Sequence, residues 1–134
     1  MAGPIQVIVK MYSGRPDPVL DLTAQEVEEL RQRLEHSRSH PVREHRALPQ
    51  LGYRGFVVTN ESRVPGFPYE AEIYGGFISA LEDRPQSGQE TRAHRRVFQD
   101  SERLEEWLLE RATERGLAED IAHMGGPQRR PPKE

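Results

Sequence analysis

The residues with most chemistry to offer are crowded into one stretch, His36-Ser37-Arg38-Ser39-His40-Pro41-Val42-Arg43-Glu44-His45-Arg46. It holds three of the chain's five histidines and three arginines. Neutral imidazoles are good zinc ligands, and His36 and His40 stand four residues apart, so a helix running through both would set them on one face. Glu44 or His45 could add a third donor. Pro41 opposes this, because it disfavours helical geometry at residue 40. No other acidic or histidine cluster closes the shell, so the expectation is no metal, His36 and His40 being the candidates if one bound. Without a metal, His40, Arg43 and His45 form a basic loop able to meet an anion or an acidic partner. The plainer reading is a solvated helix end, where cations complement the helix dipole.

Three further constellations carry weaker signals. In Ser13-Gly14-Arg15-Pro16-Asp17-Pro18, Gly14 lets the backbone approach a ligand and Arg15 presents a rigid fork for carboxylate or phosphate. The spacing is not that of a phosphate-binding loop, and the prolines lack the amide donors such a loop needs. In Tyr74-Gly75-Gly76-Phe77, aromatics flank paired glycines, which suits either an apolar groove or core aromatics beside a β-bulge, and the bulge is favoured. On a strand, Arg92, His94 and Arg96 would share one face as a basic stripe, with no stacking aromatic to support RNA recognition. A charged edge strand that resists aggregation accounts for it as well.

No nucleophile elbow, Ser–His–Asp context, P-loop or dinucleotide fingerprint is present, so the weight falls against an enzyme. The chain has no cysteine, which removes disulfides, thiolate zinc sites and iron–sulfur clusters. Net charge is -3, which makes nucleic-acid binding a poor fit. All but two of the 19 cations are arginines, Lys10 and Lys133 being the exceptions. They are scattered, as a bias in codon usage would leave them. No apolar run approaches the length of a membrane span, and no signal segment is readable, so a cytoplasmic protein without cofactor is expected.

The elements that must position these residues are legible at both ends. Alternation in Ile5 to Tyr12 predicts a strand, stopped by the proline-rich turn. Thr23 and Glu26 have the spacing of a capping box, and Val27, Leu30 and Leu34 form the apolar stripe of the helix that follows. Two strand-like runs, Tyr53 to Thr59 and Glu70 to Ile78, come next, with a weaker strand at Arg92 to Phe98. Asp100 or Ser101 should cap a second helix through Leu104, Trp107, Leu108 and Ala112, ending at Gly116, before a short turn over Leu117 to Met124. With 134 residues and mean hydropathy -0.82, a single domain over residues 1–124 is expected, followed by a disordered Pro/Arg-rich tail, 125–134. The expected architecture is α+β, a small two-layer sandwich: a mainly antiparallel sheet of three or four strands with two principal helices on one face. The leading functional expectation is a non-catalytic accessory protein that docks on a protein partner or self-associates. The alternative is a small enzyme or ligand-binding domain whose pocket for an anion uses Arg15, His40, Arg43, His45 and Tyr74.

Overall fold

A computed structural model describes residues 5–11, 16–42, 52–83 and 95–126. The alternation near the N-terminus becomes strand β1 (Gln6–Val9), with Val7 and Val9 buried. The chain then doubles back into β2 (Val19–Leu20), a two-residue edge strand that the neighbouring prolines conceal in the sequence. Asp17 holds the turn, accepting the Met11 N–H at 2.9 Å and lying 3.3 Å from the Lys10 ammonium.

Helix α1 (Ala24–Ser37) starts with the expected capping box. The Glu26 amide donates to Thr23 Oγ1 at 3.2 Å, and the Thr23 amide donates to Glu26 Oε1 at 2.9 Å. Leu30 and Leu34 are buried on its inner stripe. Strands β3 (Phe56–Thr59), β4 (Glu70–Tyr74), β5 (Phe77–Leu81) and β6 (Arg95–Gln99) follow, and then helices α2 (Leu104–Glu114) and α3 (Ala118–His123). Asp100 caps α2, its two carboxylate oxygens accepting the amides of Leu104 and Glu105 at 2.6 and 2.9 Å. The end of α2 is a Schellman turn. Leu117 N–H donates to Ala112 O and Gly116 N–H to Thr113 O, with Gly116 at φ +84°.

The sheet is antiparallel throughout, in the order β2-β1-β3-β4-β5-β6. It therefore has six strands rather than three or four, and there are three helices rather than two. Two local causes account for most of the difference. Gly75 and Gly76 take φ +65° and +88°, so they form a two-residue hairpin turn closed by Tyr74 opposite Phe77, not a bulge within one strand. The stretch after Gly116 coils into α3, which seats Ile121 in the core.

Buried residues of all three helices, among them Leu30, Leu108 and Ile121, join one cluster with Val7, Phe56, Val58, Ile73, Ile78 and Phe98 from the sheet. The helices thus cover a single face. Trp107 anchors α2 against α1 with the Arg33 and Arg111 guanidinium carbons each 5.3 Å from its ring centre. No helix among the described residues is long and apolar enough to cross a membrane.

Candidate functional site: the open face of the sheet

Strand pleating sends alternate side chains away from the helices, and the register fixes which of them meet. One row crosses all six strands: Val19, Ile8, Val57, Glu72, Ser79 and Val97. A second row runs Gln6, Thr59, Glu70, Leu81 and Arg95.

The two halves of this face differ in chemistry. Over β4 to β6, Arg95 organises a closed polar network with its side chain only 11% exposed. Its Nη1 lies 3.0 Å from Glu70 Oε1 and its Nη2 3.1 Å from Glu72 Oε1. Nε donates to Ser79 Oγ and Nη2 to the Ser79 carbonyl, both at 2.8 Å. A guanidinium with four such acceptors in range is held in one orientation. Leu81, directly opposite Arg95, is buried although it faces away from the helices.

Over β2, β1 and β3 the paired strand residues on this face carry no charge. Val19, Ile8 and Val57 sit side by side across three strands. Val19 is 47% exposed, alone among the large hydrophobic residues described, and neither Ile8 nor Val57 belongs to the core cluster. By alternation Lys10 extends the same side at the strand end, next to Asp17.

Of the residues singled out in the sequence, only some are described. Arg15, Arg43 and His45 lie outside the described residues, as do Arg92 and His94. Helix α1 ends at Ser37, so the face that would have paired His36 with His40 never forms. The chain after it is drawn onto the edge of β6: Val42 N–H donates to Val97 O at 2.9 Å, Gln99 N–H donates to His40 O at 2.8 Å, and Pro41 bridges to Phe98. His36 is exposed, its Nδ1 3.8 Å from Glu102 Oε1. Among the described residues no three His, Asp or Glu side chains are grouped to hold a metal ion.

Tyr74 and the His40 backbone share one end of the sheet through the row Tyr74, Phe77, Gln99. Three strand spacings, roughly 14 Å, separate their backbones. Tyr74 instead packs on the core, its ring 5.9 Å from that of Tyr53. Tyr53 donates its hydroxyl hydrogen to Glu105 Oε2 at 2.6 Å, while Glu105 Oε1 accepts the Gly75 amide at 2.8 Å. Burial, reinforced by the Glu105 carboxylate, holds the Tyr53 phenol well above its usual pKa. This carboxylate pins the β4–β5 turn to α2, a structural role.

What sequence reasoning missed was Arg95 and its partners. The signal lay in the alternation itself: Arg96 falls on the side of Phe98 and stays exposed, whereas Arg95 falls on the side of Val97. No protein-family model matches the chain, and comparison with curated proteins and with solved structures likewise finds no match.

Proposed function

We propose that this is a non-catalytic cytoplasmic binding or accessory domain that docks a protein partner on the open face of its sheet. The observation that carries the reading is the contiguous row Val19, Ile8 and Val57, three β-branched side chains outside the core, Val19 exposed and the other two half-buried, bordered by the Arg95–Glu70–Glu72 network. Apolar area beside fixed charges is the usual anatomy of a docking surface, with burial supplying affinity and the polar rim supplying orientation. The row is short, which suits a modest interface rather than a large permanent one.

Site-specific photocrosslinking in the native host tests this. A photoreactive residue at position 57 should yield a discrete adduct, and the same residue at position 110, on the exposed side of α2, should not. Ile8→Lys should abolish the adduct while leaving the fold intact. Adducts of equal yield from both positions, or none from position 57, would refute the assignment.

A further inference from the structure

The two edges of the sheet are finished differently. The β6 edge is covered, since Val42 N–H donates to Val97 O and Gln99 N–H to His40 O. Along the β2 edge no strand among the described residues pairs with the outer side. Hydrogen-bond parity fixes what that side presents. In an antiparallel ladder the N–H and C=O of one residue point the same way, and the direction alternates along the strand. Val9 N–H donates to the Pro18 carbonyl at 3.0 Å, so Pro18 and Leu20 face β1 while Val19 turns its N–H and C=O outward. The N–H that Pro18 lacks belongs to the inner side, so this proline does not blunt the outer one. A bare edge of this kind is a template for another strand.

The charges around Val19 say which strand. By alternation Asp17, Val19 and Asp21 share one side of the chain. At one end Asp17 lies 3.3 Å from Lys10 Nζ and 4.0 Å from Arg54 Nη2, two cations around one carboxylate. At the other end Asp21 is exposed. An antiparallel strand of the same sequence, centred on Val19, sets each cationic end opposite Asp21 of the other copy. The edge is therefore complementary to itself, as a twofold contact requires.

We propose that β2 pairs with β2 of a second copy of this chain, Val19 opposite Val19, about a twofold axis perpendicular to the sheet. Two main-chain hydrogen bonds join the Val19 residues, and Lys10 and Arg54 of each copy face Asp21 of the other. Such an axis keeps both helix layers on one side and both open faces on the other. The row Val57, Ile8 and Val19 then runs on through the same three residues of the second copy, which doubles the apolar row. The pairing stands on the edge alone and holds whether or not the open face docks a partner. The contact is short, so the dimer is weak, with a dissociation constant of roughly 10 µM to 1 mM.

Sedimentation equilibrium of the full chain, up to about 2 mM, should show monomer and dimer in exchange. Val19→Pro removes the outward N–H and spares the bonds to β1, so it should weaken dimerisation at least about tenfold and leave the fold intact. Asp21→Lys sets like charges opposite each other and should also weaken it about tenfold. Ile8→Lys, on the open face, should leave it within about twofold of the wild type, whatever it does to partner docking. Crosslinking reads the register, because the chain has no cysteine of its own. Under mild oxidation Val19→Cys should form an intermolecular disulfide, since opposed Cα atoms in a hydrogen-bonded pair lie about 5.5 Å apart. Asp21→Cys should not, because each copy sets residue 17, not residue 21, opposite it. A monomer at the highest concentration, a dimer lost in Ile8→Lys but kept in Val19→Pro and Asp21→Lys, or equal crosslinking at positions 19 and 21 would overturn the proposal.

Discussion

Replacing Tyr53 by Phe tests the account of how α2 is fastened to the sheet. The substitution removes one hydroxyl and keeps the ring, so its packing against Phe56 and Tyr74 is retained. What is lost is the 2.6 Å bond to Glu105, a bond to a charged acceptor. Such bonds contribute about 1.5–3 kcal/mol. The low end applies because Glu105 is partly exposed and keeps the Gly75 amide, which leaves no buried charge stranded. At neutral pH the variant should be about 1.5 kcal/mol less stable, a fall in Tm of roughly 5–8 °C for a chain of this size. The pH dependence sharpens the test. A phenol whose folded pKa is raised contributes stability that is complete below its unfolded value near 10 and is lost as pH rises above it. Above that pH the unfolded chain releases a proton that the folded chain retains. By pH 11 the wild type should have lost about 1.4 kcal/mol that the Phe variant never had, so the two denaturation midpoints should nearly meet. Urea denaturation from pH 7 to 11, wild type against variant, measures this directly. A gap below about 0.5 kcal/mol at neutral pH, or a gap that stays constant up to pH 11, would refute the reasoning.

Other perturbations follow from the same structure. Gly55→Ala should prevent folding or cost more than about 3 kcal/mol, because Gly55 stands at φ +83° and a Cβ there would lie 2.0 Å from the Ile73 carbonyl oxygen. Gly75→Ala, also at positive φ but facing open space, should cost only about 1 kcal/mol by thermal denaturation. Asn60→Ala should destabilise by about 2–3 kcal/mol and open the 61–68 connection to proteolysis, since it leaves the Val64 amide and two carbonyls without their partner. Arg95→Ala should cost about 1–3 kcal/mol, because Glu70 and Glu72 on adjoining rows of β4 lose their shared counter-charge, and added salt should narrow the deficit.

The boundary between sequence and structure is clearest at particular residues. Local signals were enough for the Thr23–Glu26 capping box, the Asp100 cap and the Gly116 terminus, because each depends on residues within a few positions of one another. Gly75-Gly76 was noticed and misread. A glycine pair is compatible with a bulge or a hairpin turn, and only the pairing of Tyr74 with Phe77 selects the turn. Strand β2 was hidden because two residues carry no periodicity and the strand exists only through its pairing with β1. The end of α1 near Pro41 was legible, and Ser37 is where it falls, but that the chain after it turns to cover the edge of β6 was not, because that pairing joins residues far apart in sequence.

By itself, then, the sequence determined the class of the fold, the two principal helices and the absence of thiol chemistry. Capping, amphipathic period and composition are short-range properties, and distant residues do not alter them. Tertiary structure alone decided which side chains share a surface. The Val19–Ile8–Val57 row and the Arg95 network join residues from separate strands, and strand register is what brings them together.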